Sequence, residues 1–269
     1  LSGKHENQFE GSPMKQSGNT ILITGGASGI GKELAARFHA LGNAVIIAGR
    51  RQSALDAVVA EHPGMVGHAL DLADKDAVTA FAATVTAAHP GLNILINNAG
   101  IMGFEDLARS GDSTEAEAAV TTNLLGPIRL TNALTDHLAR QPDAAIINVT
   151  SGLAFVPLLA APTYSATKAA LHSYTVSLRE VLKGKIEVIE LAPPAVQTGL
   201  TPGQSTRPGY MPLDDFMTEV MALFAQTPTP PEILVERVRF LRVAEREGRF
   251  DATLTALNDF ATKAREGQS

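Results

Sequence analysis

The chain has no cysteine. Disulfides and thiolate chemistry are therefore excluded, and nothing favours an oxidising compartment. Positive charge is also sparse: Lys and Arg number 22 against 28 Asp and Glu, a net −6, with no basic run. That excludes nucleic acid and anionic membrane as main partners. No apolar run approaches the roughly 20 residues a membrane-spanning helix needs. The seven histidines show no His-x-His or His-x-x-x-His spacing, so no metal is expected. Residues 1–13 (LSGKHENQFEGSP) are polar and lack the apolar centre of a signal peptide. They read as a tag remnant or a disordered tail ahead of Met14, with 14–269 as a single domain in the cytoplasm.

What the chain does have is alternation. Apolar residues make up 45% of it, ample for a sheet buried on both faces. Strand-length apolar runs lie at Ile21–Thr24, Ala44–Ala48, Met65–Leu70, Asn93–Ile96, Ala144–Val149 and Ile186–Leu191. Helical patterns separate them, at Lys32–Leu41, Gln52–Glu61, Asp74–His89, Ser113–Arg140 and Ala161–Leu182. Near-continuous apolar strands joined by helices predict an α/β fold with a doubly wound parallel sheet. Six strands are clear and a seventh is left open. The Pro/Gly-rich stretch Pro193–Pro212 follows the last of them, where such sheets bind ligands, and residues 197–225 are expected to cover the substrate. Asp214–Ala225 and Pro231–Glu247 read as helices, and the tail from Gly248 stays unassigned. Inside Ser113–Arg140, Pro127 predicts a kink, because it lacks the N–H that would bond the Asn123 carbonyl.

The first strand runs into Gly25-Gly26-Ala27-Ser28-Gly29-Ile30-Gly31 and then a helix. The spacing is Gly-x-x-x-Gly-x-Gly rather than Gly-x-Gly-x-x-Gly, but the physics is shared. Glycines allow a tight turn and close backbone approach to a pyrophosphate, and the helix N-terminus supplies N–H groups. A glycine turn alone is weak evidence; after the first strand of such a sheet it points to a dinucleotide. At the end of the second strand, where an acid would take the ribose 2′-hydroxyl of NAD, stands Ala48-Gly49-Arg50-Arg51. A carboxylate would repel a 2′-phosphate, whereas guanidiniums bind one. NADP(H) is therefore expected over NAD(H). Two solvated arginines are the bland alternative, disfavoured by the dipole of the helix they open.

Tyr164-Ser165-Ala166-Thr167-Lys168 opens an amphipathic helix and places Tyr164 and Lys168 on one face. A free tyrosine titrates near 10, and a neighbouring ammonium should lower that value towards a useful acid/base range. Upstream, a strand ends in Thr150-Ser151-Gly152. A hydroxyl there points at the ligand crevice, although Ser-Gly is also ordinary turn chemistry.

Together these residues resemble the short-chain dehydrogenase/reductase family in its single-domain, Rossmann-type form. The matching motifs are Thr24-Gly25…Gly29-Ile30-Gly31, Asp71, Asn97-Asn98-Ala99-Gly100, Asn123, Ser151, Tyr164/Lys168 and Pro193…Val196…Thr198, in family order over roughly residues 18–200. Leu191–Thr198 and Glu232–Val238 further resemble a bacterial subgroup named after a teichoic-acid D-alanylation operon. The resemblance implies that Tyr164 gives a proton to a carbonyl oxygen while Ser151 hydrogen-bonds and orients it. Lys168 would hold the nicotinamide ribose and depress the tyrosine, and Asn123 would help hold a water linking Lys168 to solvent. Asp71 and the Leu72 backbone would meet the adenine, and Asn98, Ala99 and Gly100 would support the sheet and line the ribose. Val196 and Thr198 would contact the carboxamide and phosphate region. Hydride passes directly between nicotinamide and carbon, so no metal is needed.

Two departures stand out. Pro193-Pro194 replaces the usual Pro-Gly, which reshapes the wall beside the nicotinamide. The C-terminus lacks a Gly-rich final strand, so a homodimer on the long helices is favoured, with a tetramer possible. Met102, Phe104, Leu153, Phe155, Val156 and Pro194, with Met211, Phe216 and Met217, predict a largely apolar pocket. The expected activity is NADPH-dependent interconversion of a ketone or aldehyde with its alcohol. Rival readings are a non-catalytic NADP(H) sensor and an epimerase or dehydratase working through a transient keto intermediate.

Overall fold

The computed structural model describes residues 14–266; the reading of 1–13 as a tag or tail falls outside the described residues. Seven parallel strands form one sheet: β1 (Thr20–Thr24), β2 (Ala44–Gly49), β3 (Val66–Ala69), β4 (Leu92–Asn97), β5 (Ala145–Val149), β6 (Glu187–Leu191) and β7 (Glu232–Ile233). Their order is β3-β2-β1-β4-β5-β6-β7. The chain runs outward from β1 to β3, then returns to lay β4 on the other side of β1. The crevice at that reversal, at the carboxyl ends of β1 and β4, is where a doubly wound sheet takes a ligand.

Side-chain alternation sends the strands into two cores. Ile21, Ile23, Ile47, Ile96 and Ile147 pack with Leu34 and Phe38 of helix α1 (Gly29–Ala40) and with Phe216 and Phe224 of α7 (Leu213–Phe224). Leu22, Ile46, Leu95 and Ile146 face the other way, onto Val85 of α3 (Lys75–Ala88) and Leu130 and Leu134 of α5 (Gly126–Leu138). Burial on both faces is why these strands read as unbroken apolar runs. Helix α2 (Gln52–Glu61) crosses from β2 to β3, and Asp74 caps α3 by accepting from the Asp76 and Ala77 amides. No helix among the described residues is long and apolar enough to cross a membrane.

Two helix expectations are corrected. The stretch 113–140 is not one helix: α4 (Thr114–Val120) passes through a π-helical turn, Thr121–Leu125, into α5. Gly126 N donates to the Thr121 carbonyl, five residues back, and Pro127 sits in the first turn of α5, where its missing N–H costs least. The bend therefore precedes the proline. Residues 231–247 are not one helix either. The seventh strand lies there, at Glu232–Ile233, before α8 (Glu236–Arg242). Pro230 and Pro231 keep the chain extended, and the Glu190 amide pairs with the Pro231 carbonyl at 3.0 Å. The tail forms α9 (Phe250–Glu266). Helix α7 packs on α1, with Phe38 and Phe224 rings 5.8 Å apart and Arg37 paired to Asp214.

Candidate active site

A cavity of about 500 Å³ opens at the topological switch point. All of the site residues expected from sequence line it except Gly31 and Asn123. Those two lie beneath its surface and shape it.

The β1–β2 side is built around the N-terminus of α1. Gly25 has φ +68°, and a Cβ there would come within 2.9 Å of the Ala99 Cα and the Asn98 amide nitrogen. A Cβ on Gly31 would fall on the Gly25 carbonyl and the same Asn98 amide. The turn is thus closed by backbone packing that no side chain can enter. Thr24 and Asn98 lace β1 to β4: the Thr24 hydroxyl accepts from the Asn98 and Ala99 amides at 3.0 and 3.1 Å, and Asn98 Nδ2 donates to the Thr24 carbonyl at 2.9 Å. Ser28 caps α1 without a side-chain hydrogen bond, which leaves the first amides of the helix facing the cavity. Arg50 and Arg51 are exposed at its rim, and no side-chain hydrogen bond or ion pair to either occurs among the described residues. Asp71 holds the Ala73 amide at 2.9 Å. Open helix amides and exposed guanidiniums fit a dinucleotide.

The β5–β6 side carries the ionisable side chains. Helix α6 (Pro162–Val181) presents Tyr164 and Lys168, both buried. The Tyr164 hydroxyl is hydrogen-bonded to Ser151, whose Oγ also accepts from the Leu153 amide at 3.1 Å. Lys168 Nζ donates to the Val149 carbonyl at 2.8 Å and stands 5.6 Å from the Tyr164 ring centre. Burial pushes Tyr164 up to about 12, against the pull of the Ser151 hydrogen bond. Burial also lowers Lys168 to about 8. Here the expectation is corrected: Lys168 was to depress the tyrosine, but desolvation of the phenolate is the larger effect, and Tyr164 is held protonated. Asn123 lies in the π turn with no exposed surface. Its Oδ1 accepts from Ile101 N and its Nδ2 donates to Ile101 O, both at 2.8 Å, and to Thr167 Oγ1 at 3.3 Å. The side chain is therefore committed to the segment after β4 and to α6, and the Thr167 hydroxyl in turn donates to the Tyr164 carbonyl at 2.7 Å.

The pocket beside Tyr164 is less apolar than expected. Met102 and Pro194 line the cavity, but so do Thr122 and Gln204. Val156, Met211, Phe216 and Met217 belong to the core. Phe104 is 44% exposed, Phe155 turns towards His172, and Leu153 packs on the cluster of Leu158, Ala161, Tyr164 and Ala261 of α9. Gln204 was missed from sequence. It is buried, donates to the Val196 carbonyl at 2.9 Å and to Thr198 Oγ1 at 3.1 Å, and so fixes the strap that faces Gly29. An aperiodic loop carried no signal for it.

The sequence profile of the family described as short chain dehydrogenase matches residues 19–208. A Bacillus subtilis (strain 168) protein named "Uncharacterized oxidoreductase DltE" is 42% identical over 243 residues, covering 87% of this chain and 94% of that one. The crystal structure of a 3-ketoacyl-(acyl-carrier-protein) reductase from Brucella melitensis, complexed with NADH, superposes with a TM-score of 0.72 at 27% identity. It covers 81% of this chain and 96% of its own. A metagenomic short-chain oxidoreductase in complex with NADP gives a TM-score of 0.68 at 29% identity, covering 82% and 97%.

Proposed function

Because the chain belongs to the short-chain dehydrogenase/reductase family, and so is an NAD(P)-dependent oxidoreductase, we propose that it reduces an uncharged ketone or aldehyde with NADPH. One observation carries the reading: a buried tyrosine, kept protonated and hydrogen-bonded to a serine, with both side chains lining the cavity at the switch point of the sheet. A group that holds its proton near neutral pH is suited to giving it to an oxygen that gains negative charge. Tyr164 donates that proton, and Ser151 holds the same oxygen by hydrogen bond. Lys168, lowered to about 8, is mostly charged at neutral pH and stabilises the tyrosinate that donation leaves. The nicotinamide, when bound, supplies the hydride. Arg50 and Arg51 select the 2′-phosphate, since their guanidiniums meet no protein acceptor among the described residues and β2 runs into Gly49-Arg50-Arg51 with no acid to favour NAD. The mixed lining of Met102, Pro194, Thr122 and Gln204 suits a neutral substrate with some polar surface. A homodimer through the outer faces of α4–α6, where Val120, Val176 and Val181 are exposed, belongs to the same proposal.

The test follows NADPH absorbance over a panel of aldehydes and ketones, with products identified by chromatography. At least one carbonyl should be reduced, more slowly with NADH. Tight NADPH binding with no consumption across the panel would replace the reductase with a cofactor sensor.

A further inference from the structure

Tyr164, Lys168 and His172 follow at four-residue steps along α6. The first two line the cavity; the third does not. His172 Nδ1 lies 2.7 Å from Glu190 Oε2, and Glu190, on β6, has no exposed surface. The other carboxylate oxygen accepts from the Thr150 hydroxyl at 2.6 Å. A buried carboxylate is costly unless charge-compensated and hydrogen-bonded, and a protonated His172 supplies both.

The surroundings complete the balance. Glu232 of β7 comes within 4.8 Å of the pair but is held by Arg242 of α8 through two bonds, at 2.8 and 2.9 Å. The Arg242 guanidinium lies 5.0 Å from the Phe155 ring centre, and that ring meets His172 edge-on at 5.2 Å. Arg179 adds positive charge near Glu232 while its own donors hold the Val188 and Pro231 carbonyls. His172, Glu190 and Glu232 are a plausible ligand set by type, yet protein donors already occupy both carboxylates. The cluster is a charge-balanced network, not a cation site.

This network grips the active site on both sides of Ser151. Thr150 precedes the serine, and Phe155 follows the short 3-10 turn Gly152–Ala154 that comes after it. We propose that His172 and Glu190 are a positioning pair for Ser151: through Thr150 on one side and Phe155 on the other, they hold its hydroxyl in place against Tyr164. The proposal rests on Ser151 orienting the substrate oxygen. It makes that orientation depend on the His172 proton. Glu190, through its hydrogen bond, raises His172 above the ordinary imidazole value, against burial; Glu232 adds to the rise and Arg242 opposes it. As pH climbs through the raised value His172 loses its positive charge, Glu190 is left as a buried carboxylate without its counter-charge, and its place against Thr150 is no longer fixed.

The test compares the wild-type chain with Glu190→Gln and His172→Gln. The first keeps hydrogen-bonding atoms for Thr150 and His172 but removes the charge. NMR titration of the histidine rings, with His172 assigned by its loss in His172→Gln, should place it above an ordinary histidine, and at least ~10-fold more acidic in Glu190→Gln. The Leu153 amide, which donates to Ser151 Oγ, should titrate in step with His172 in the wild type and stay flat in both variants. On whichever carbonyl the panel yields, kcat/KM of the wild type should fall on the alkaline side over the same range. In His172→Gln the part of that limb that tracks the His172 titration should vanish, leaving the limb that Lys168 sets near 8, with NADPH Kd unchanged and kcat reduced ~5-fold or more at pH 6.5. A Leu153 amide indifferent to His172, or a His172→Gln profile parallel to wild type, overturns the proposal. If His172→Gln fails to fold, Glu190→Gln carries the amide and kinetic readouts. If no carbonyl is reduced, the reductase reading fails, and the Leu153 titration still decides the pair.

Discussion

On the β1–β2 side of the cavity the polar groups wait for a ligand. Arg50 and Arg51 are exposed and meet no acceptor among the described residues, and the α1 amides face the cavity behind a Ser28 whose side chain makes no cap bond. On the β5–β6 side the polar groups are finished by the protein itself. Lys168 has the Val149 carbonyl, Ser151 has the Leu153 amide and Tyr164, and Glu190 has Thr150 and His172. A wall completed by a ligand keeps its charges in water, where leaving them unpaired costs little. A wall completed by protein can bury them, and burial is what moves their proton affinities. Substitutions on the first wall should change cofactor binding and spare turnover. Those on the second should do the reverse.

The largest effect is expected at Tyr164. Tyr164→Phe removes the proposed proton donor, and kcat should fall by at least ~100-fold, the usual cost of losing a general acid. NADPH affinity, measured by nicotinamide fluorescence, should stay within a factor of about two. Near-native turnover in the folded variant would erase the division between the walls. Next comes Gly31→Ala. The added methyl has nowhere to go but the Gly25 carbonyl and the Asn98 amide, so the turn must open and the α1 amides shift. NADPH Kd should rise by on the order of 30-fold, since several charge-assisted bonds are lost together. Arg50→Asp should act more gently, because Arg51 remains. A loss of ~10-fold for NADPH, or ~1.4 kcal/mol, with NADH unchanged or tighter, supports the 2′-phosphate assignment. Equal affinities for NADPH and NADH in the unsubstituted chain would remove it.

How far the sequence discloses these walls follows from how local their signals are. The glycine turn, the arginine pair and the four-residue step from Tyr164 to Lys168 lie within single strand–turn–helix units, so spacing alone locates them. Strands β1, β2, β4, β5 and β6 were legible because burial on both faces leaves near-continuous apolar runs, and the edge strand β3 through the buried Met65 and Leu70 that flank it. The two-residue β7 was not, since Glu232–Ile233 carries no periodicity and is strand only by pairing with Glu190 and Leu191. The pairing of His172 with Glu190 was equally hidden. It joins a helix to a strand and depends on packing, and a lone histidine or glutamate in sequence is ordinary. Tyr164 shows the same limit in energetics: the neighbouring lysine was visible and suggested a lowered value, but the burial that wins could be seen only once α9 and the loop after β5 closed around the ring.

The smallest effect tests whether partnering, rather than burial alone, distinguishes the second wall. Glu187 opens the strand that Glu190 nearly closes, yet its carboxylate has no hydrogen bond or ion pair among the described residues. Burial alone acts on it and pushes it up to about 7, from an ordinary 4.5. A folded-state value above the unfolded one means the fold binds the extra proton between about 4.5 and 7. Stability should therefore decline as pH rises through that window and stay at the lower level above it. The full shift would correspond to ~3 kcal/mol, but the side chain is partly exposed and solvent screens it, so about 1 kcal/mol is expected. Glu187→Gln removes the ionisation. It should raise the melting temperature by roughly 2–4 °C at pH 8 and leave it nearly unchanged at pH 4.5, with turnover and NADPH affinity untouched. The measurement is thermal unfolding of both proteins at the two pH values. An equal gain at both would assign the effect to packing, and no gain at pH 8 would mean that Glu187 has a partner and that the strand's two glutamates do not differ as described.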